Sequence, residues 1–257
     1  MKSHLIRWTN AVLGGLGLRL VRSDSTEDLE GTFHSWHYLR HNARRLEHLA
    51  SLLVPTSGKS VLEIGAGIGD HSSYYLDRGC TVTITDSRPE NVAYVTKRYP
   101  DCEAYVLDLE QSDFARRIDR KYDVVHCYGL LYHLSDPAHA IKEVAPYCKE
   151  LMLIETAVSL GAEESNYQKK EDKTNPSQAM SGMGSRPTRA WLLSEMKKHF
   201  KHVYLPKTQP NHEEFPDNWS AAEKSGREAR AVFICSNAPL DNPLLTEELP
   251  DRQEKQL

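Results

Sequence analysis

Cysteine is scarce and unpatterned. Cys80, Cys102, Cys127, Cys148 and Cys235 are an odd five in 257 residues, with no CxxC among them. This argues against a disulfide framework or a cysteine zinc site and fits a reducing, cytoplasmic setting. No apolar run reaches the roughly 20 residues a membrane-spanning helix needs. Excess charge is missing too: 32 Lys and Arg against 36 Asp and Glu leave a net −4 with His neutral, so nothing global calls for nucleic acid or an anionic membrane as partner. There is no GxxxxGK[ST] phosphate loop and no internal repeat.

The N-terminal stretch MKSHLIRWTNAVLGGLGLRLVR, residues 1–22, starts basic and turns apolar as a signal peptide does. Arg7 and Arg19 interrupt it, and no small-residue cleavage site follows. Leu5, Trp8, Val12 and Leu16 share one side of a helix. Two readings stay open: peripheral contact with a membrane or partner, or packing on the chain's own domain. Gly14, Gly15 and Gly17 favour the second, since they weaken an independent helix.

From residue 33 the apolar spacing predicts a helix, with Trp36, Leu39, Ala43, Leu46 and Leu49 or Ala50 as its stripe. Residues 1–57 thus read as a helical extension and 58–238 as the main domain. Within it, SVLEIG, TVTITD, EAYVLD, YDVVHCYG and ELMLIET alternate with amphipathic segments, the pattern of a parallel sheet wound on both sides. Residues 161–187 are polar and aperiodic, which predicts a lid-like insertion after the fifth strand. A helix from Thr188, strands HVYLP and ARAVFICS, and a loop over 207–228 follow. The charged, Pro-broken residues 239–257 read as an exposed tail.

The stretch VLEIGAGIGD, residues 61–70, sets Gly65, Gly67 and Gly69 just after a buried strand, where glycine lets backbone approach a ligand. GxGxG is not the GxGxxG of a pyrophosphate binder. Glu63 stands two residues before the first glycine. Asp86 ends the second strand, where a carboxylate takes both ribose hydroxyls; Asp108 ends the third, placed to accept from an adenine amino group while Leu109 covers the base. Each acid alone also reads as a solvated strand end or a helix cap. Three of them beside one glycine turn point to a nucleoside cofactor, and Ala66, Ser87 and Tyr128 complete the expected binding set.

These residues resemble the class I S-adenosylmethionine-dependent methyltransferases, whose signature VLEIGAGIG, TITD and VLDLE match. The resemblance is specific over residues 60–157 and follows the strand order to residue 237. It implies an α/β fold with a doubly wound, mostly parallel seven-stranded sheet, ARAVFICS being its final antiparallel strand. It also implies S-adenosylmethionine as cofactor, with the glycine turn along its methionine and ribose, Asp86 on ribose, and Asp108 and Leu109 at adenine.

A methyl acceptor with a hydroxyl needs a base. His133, in YGLLYHLSDP after the fourth strand, is the first candidate, because an imidazole near pKa 6.5 suits the task; the alternatives are a helix cap or a cofactor wall. Tyr132 reads as a wall. The second half of the chain is left to define the acceptor: Arg186 and Arg189 flank a helix start, and the 207–228 loop gathers His212 as reserve base with Asp217 and Trp219. Aromatic and acidic groups together suit a sugar or another small polar acceptor. His37 and His41 share a helix face as metal ligands do, but no carboxylate follows in the zinc-helix pattern, and neither Asp136 nor Asp217 sits in a ligand spacing, so no metal is assigned. Two other functions remain: a tRNA base-modifying enzyme, from a likeness of LLYHLSDP to wobble-uridine carboxymethyl-transferring enzymes, and a non-catalytic cofactor-binding scaffold. No basic nucleic-acid module supports the first.

Overall fold

The computed structural model describes residues 25–220 and 229–256. Residues 1–22, with their membrane or partner reading, and the end of the 207–228 loop lie outside the described residues. Two helices come first, α1 (Ser25–Phe33) and α2 (Trp36–Ser51). The alternating core follows: β1 (Ser60–Ile64), α3 (Ser72–Leu76), β2 (Thr81–Asp86), α4 (Pro89–Arg98), β3 (Glu103–Val106), β4 (Tyr122–Tyr128), α5 (Pro137–Val144) and β5 (Cys148–Val158). Beyond it lie β6 (Asn166–Lys170), β7 (Met183–Pro187), α6 (Arg189–Lys197), β8 (His202–Pro206), β9 (Thr208–Gln209), β10 (Ala229–Ser236), β11 (Leu245–Thr246) and β12 (Glu254–Lys255). Among the described residues no helix is long and apolar enough to cross a membrane.

Eight strands form the main sheet in the order β11-β8-β10-β5-β4-β1-β2-β3. The strands from β3 to β5 pair in parallel, and β10 runs antiparallel between β5 and β8. Alternation of side chains along the strands fills both faces. Val61, Val124, Leu153 and Ile234 pack with Leu49, Tyr75 and Val95 on one side. Leu62, Val125, Ile154 and Phe233 pack with Ile141, Leu192 and Met196 on the other. The sheet is thus doubly wound, as its sequence pattern predicts.

Three expectations need correction. The seven strands are present, but β11 adds an eighth, and it comes from the tail that was expected to be exposed. Leu245 is buried where β11 pairs with Leu205 and Pro206, covering the sheet edge. Gln253, also buried, accepts from the Trp219 indole at 2.7 Å and from the Gln209 amide at 2.8 Å. Next, residues 161–187, polar and aperiodic in sequence, carry regular structure: β6 and β7 form an antiparallel hairpin in full register from Asn166↔Pro187 to Lys170↔Met183. Finally, the predicted apolar stripe of α2 faces the core only in its second half, where Leu49 is buried and Leu46 and Ala50 pack beside it. Trp36, Leu39 and Ala43 are exposed, whereas His41, Asn42, Arg45 and His48 are buried along with Leu49.

The reason for that inversion is a buried carboxylate. Glu155, on β5, is fully buried and accepts from Arg45 Nη1 at 2.7 Å and from Arg230 Nη1 at 3.0 Å. One anion thereby ties α2 and β10 to the centre of the sheet. Burial pushes the Glu155 carboxyl up, but Arg230 and Arg45 outweigh it and hold the group below its usual value of 4.5. A depressed carboxyl contributes stability that is present above its unfolded pKa and is lost as pH falls through the folded one.

Replacing Glu155 with Ala leaves two guanidiniums without their shared partner and is expected to cost about 3–5 kcal/mol, read from the urea midpoint at pH 7. On acidification below pH 4.5, the wild-type advantage over Glu155→Ala shrinks.

Candidate active site

Strand order reverses between β1 and β4, and the crevice at such a switch point opens beyond the carboxyl ends of the strands. An open cleft lies there, lined by residues from β1, β2, β4 and α2. Its inner wall is the glycine turn. Gly65 and Gly67 hold φ of 69° and 58°. Their positive φ favours glycine, and a Cβ would also crowd side chains, standing 2.8 Å from Leu130 Cδ1 at Gly65 and 2.8 Å from Phe33 Cε1 at Gly67.

The turn is fastened to the acid that ends β2. Gly67 N–H donates to Asp86 Oδ2 at 2.8 Å, while Asp86 Oδ1 accepts from the Arg88 amide at 2.9 Å and from Asn91 Nδ2 at 3.0 Å. With one recorded donor, Oδ2 keeps acceptor capacity toward the cleft that Asp86 lines. Burial raises the Asp86 carboxyl despite these donors. Glu63 is buried as well; it accepts from Ser72 Oγ at 2.5 Å, and burial pushes its carboxyl up to about 7. Asp108 accepts from the Glu110 amide at 3.1 Å and Gln111 Nε2 at 3.0 Å. The Tyr128 hydroxyl is buried with no hydrogen-bond partner among the described residues.

Across the cleft lies His133, at the end of the single turn Leu131–His133 that follows β4. Its Nδ1 pairs with Glu171 Oε2 on the hairpin. A carboxylate only accepts, so Nδ1 carries the proton and Nε2 is left as the basic nitrogen. Glu171 is itself held: Oε2 also accepts from the Ala179 amide at 2.9 Å, and Oε1 from Arg186 Nη1 and Nη2 at 3.1 and 3.2 Å. Burial raises the Glu171 carboxyl, but His133, the Ala179 amide and Arg186 outweigh it and hold it at about 2. Burial lowers His133, with Glu171 restoring part of the loss. The imidazole is therefore neutral near pH 7.

Helix α2 supplies the remaining wall. Tyr38, His41, Asn42 and Arg45 line the cleft, and Asn42 Oδ1 accepts from both Arg45 Nη2 and His71 Nε2, the latter at 3.2 Å. His71 Nδ1 then accepts from His126 Nε2 at 3.1 Å, and His126 Nδ1 from the Tyr75 hydroxyl at 2.8 Å. Burial keeps both rings neutral, lowering His126 to about 3 and His71 well below its usual value. The hairpin loop roofs the site: residues 176–180 line the cleft, and Arg88 Nη2 donates to the carbonyls of Lys173, Asn175 and Gln178 at 2.9, 3.1 and 3.3 Å.

The structure brings together Glu63, Gly65, Ala66, Gly67, Asp86, Ser87, Asp108, Leu109, Tyr128, Tyr132 and His133, all lining one cleft. Gly69, φ 78°, shapes the turn from outside it. Arg186 acts from behind, bonding Glu171 and the Tyr132 carbonyl. The other acceptor candidates do not meet the cleft. His212 is buried against His41, ring centroids 4.8 Å apart. Trp219 is buried under Arg189, whose guanidinium carbon lies 3.6 Å from its ring centroid and whose Nη1 donates to the Pro250 carbonyl; the Asp217 carbonyl accepts from Gln253 N–H. Tail packing occupies all three. Asp136 caps α5, accepting from the His139 amide at 3.0 Å.

Glu171, Arg45, Arg88 and Arg230 were missed. Glu171 lies 38 residues from His133, and no local spacing announces it. Arg45 had a signal: His41, Asn42, Arg45 and His48 recur at helical spacing, a polar stripe that is as periodic as the apolar one.

A family described as a methyltransferase domain matches residues 35–204. Among curated proteins, the ubiquinone biosynthesis O-methyltransferase of Aeromonas salmonicida is 31% identical over 120 residues, 46% of this chain and 50% of that protein. The chain spans about half the length of the curated relatives it matches. The N-terminal domain of EvdMO1, crystallised in the presence of SAH and D-fucose, superposes with a TM-score of 0.58 at 18% identity, over 76% of this chain and 82% of that one. An S-adenosylmethionine-dependent methyltransferase from Mesorhizobium loti superposes with a TM-score of 0.55 at 14% identity, over 77% and 99%. At such identities the likeness is one of fold.

Hydrogen bonds to a charged group contribute about 1.5–3 kcal/mol, so Asp86→Ala is expected to weaken binding of S-adenosylhomocysteine by about 10- to 100-fold in calorimetric titration. Gly67→Ala is expected to weaken it as well, through the clash with Phe33.

Proposed function

The chain belongs to the class I S-adenosylmethionine-dependent methyltransferases, and from that premise we propose that it methylates a hydroxyl of a small-molecule acceptor, with His133 as general base. The observation that carries this reading is that His133, paired with Glu171 behind it, lines the same cleft as the glycine turn. The residues present fit the family's cofactor: glycines at positive φ where a Cβ would crowd side chains, a free acceptor site on Asp86, and Asp108 and Leu109 at the next strand end. When bound, S-adenosylmethionine supplies an electrophilic methyl group on its sulfonium.

The chain's own residues then divide the work. Nε2 of His133 takes the acceptor's hydroxyl proton as the oxygen becomes nucleophilic. Glu171 holds the opposite ring nitrogen and offsets the imidazolium charge that forms; Arg186 fixes Glu171 in turn. The strap over residues 176–180, held by Arg88, limits water, which matters because water competes with the acceptor for the methyl group. Tyr132 is held as wall by Arg230 Nη2, which donates to its hydroxyl at 3.0 Å.

The residues that pointed to a sugar, His212, Asp217 and Trp219, give that acceptor no support from inside the cleft. Beside polar groups such as Asn42, Arg45, Glu110 and Arg230, the cleft is lined by Phe33, Tyr38, Tyr132 and Met180. This aromatic and thioether lining supports a flat phenolic ring carrying the hydroxyl, in keeping with the ubiquinone-biosynthesis relatives.

The test is release of S-adenosylhomocysteine with panels of phenols and of sugars, tRNA serving as control. Turnover with phenols supports the reading, turnover with sugars alone restores the carbohydrate acceptor, and turnover with tRNA alone replaces both with base modification. His133→Ala is expected to lower kcat/KM by about 10²–10⁴-fold with cofactor affinity retained. Because the base must be neutral, wild-type kcat/KM falls with acid only below pH 6.5. Glu171→Gln removes the group that raises the His133 pKa, so the acid limb moves to still lower pH while the maximum rate drops.

A further inference from the structure

Three histidines and two glutamates converge beside the cleft. His37 and His41, four residues apart on α2, share one helix face, and the loop after β9 brings His212, Glu213 and Glu214 against them. His37 Nε2 lies 3.2 Å from Glu214 Oε1 and His41 Nε2 lies 3.7 Å from Glu214 Oε2. The ring centroid of His212 is 5.5 Å from that of His37 and 4.8 Å from that of His41. The ligand atoms of His37, His41 and Glu214 all fall within 4.8 Å of one another, as do those of His37, His212 and Glu213.

The second observation is unpaired nitrogen. His41 and His212 are 4% and 2% exposed, and Nε2 of each has no hydrogen-bond partner among the described residues. Two buried imidazole nitrogens left without partners side by side are costly unless something binds them. The other histidine cluster differs on this point: His71 and His126 lie within ligand distance of Glu63, but each spends both ring nitrogens in the chain from Asn42 to Tyr75.

We propose that His37, His41 and Glu214 bind a divalent transition metal, with Zn2+ as the fitting ion and His212 as the fourth ligand. Two or three imidazoles with one carboxylate form a borderline nitrogen-rich set, which suits zinc, cobalt or nickel and not the oxygen-seeking Mg2+ or Ca2+. Tetrahedral bonds of about 2.0–2.1 Å place ligand atoms about 3.4 Å apart, close to the 3.2 and 3.7 Å that separate the Glu214 carboxylate from His37 and His41. Glu214 binds through Oε1, since Oε2 accepts from Arg230 Nε at 2.6 Å; that bond orients the carboxylate from behind. The Glu214 amide approaches His212 Nδ1 at 3.4 Å, and this long contact gives way as the ring turns to ligate through Nε2. The bound ion joins α2 to the loop and fixes the wall on which His41 meets the cleft. This revises the sequence reading, in which the missing carboxylate counted against a metal: the carboxylate comes from 173 residues further along the chain.

The test uses the full chain, stripped with chelator, then titrated with Zn2+ by calorimetry and with Co2+ by visible absorption. His37 is the diagnostic position, because its side chain is 56% exposed and no fold contact depends on its burial. The expected result is one equivalent of Zn2+ bound at micromolar concentration or tighter, a tetrahedral Co2+ spectrum, and a rise in Tm with Zn2+ that excess Mg2+ does not reproduce. His37→Ala loses a direct ligand and so weakens Zn2+ binding by more than the about 100-fold at the upper end for outer-shell partners, with the Tm of the metal-free protein unchanged. Absence of binding at micromolar Zn2+, or equal affinity of wild type and His37→Ala, overturns the proposal.

Discussion

A fully buried carboxylate in a protein interior must be neutralised where it stands, and Glu155 is neutralised by Arg45 from α2 and Arg230 from β10. Much of the site follows from this requirement. Arg45 turns the polar face of α2 inward, so Asn42 reaches His71 and Tyr38 and His41 reach the cleft. Arg230, fixed by Glu155, goes on to hold the Tyr132 hydroxyl and Glu214. Helix α2, which on its apolar spacing belongs to a separate cap, is thereby a wall of the site.

The chemistry of the cleft rests on a second long-range pairing. His133 follows a strand of the sheet, and Glu171 belongs to the hairpin inserted after the next one. The hairpin brings its own carboxylate, its own Arg186 to hold it, and a strap that Arg88 fastens over the cleft. The partner of His133 and the strap are thus built on the same insertion, and the strap is tied to that partner where the Ala179 amide donates to Glu171.

The cofactor half was legible because it is local. Strand, glycine turn and strand-end acid are set by short-range rules, and Gly67 meets Asp86 only 19 positions away through parallel neighbours. The residues expected to meet the acceptor lie away from the cleft for a physical reason. His212, Asp217 and Trp219 look like a binding loop in sequence, but the tail returns to cover them, and Trp219 spends its indole on Gln253. A charged, Pro-broken tail carries no periodic signal that it will pair with β8 and β9.

By itself the sequence determined the alternating α/β order, the antiparallel last strand, the glycine turn with its acids, and His133 at the cleft edge. These follow from side-chain alternation, glycine conformational freedom and strand-end position, all of which act over a few residues. Tertiary structure alone decided which face of α2 is buried, that the insertion is a hairpin supplying Glu171, and that His37 and His41 find Glu214 across 177 and 173 residues. Those outcomes depend on satisfying buried charge and unpaired polar groups between distant segments, and no local pattern records where such partners will meet.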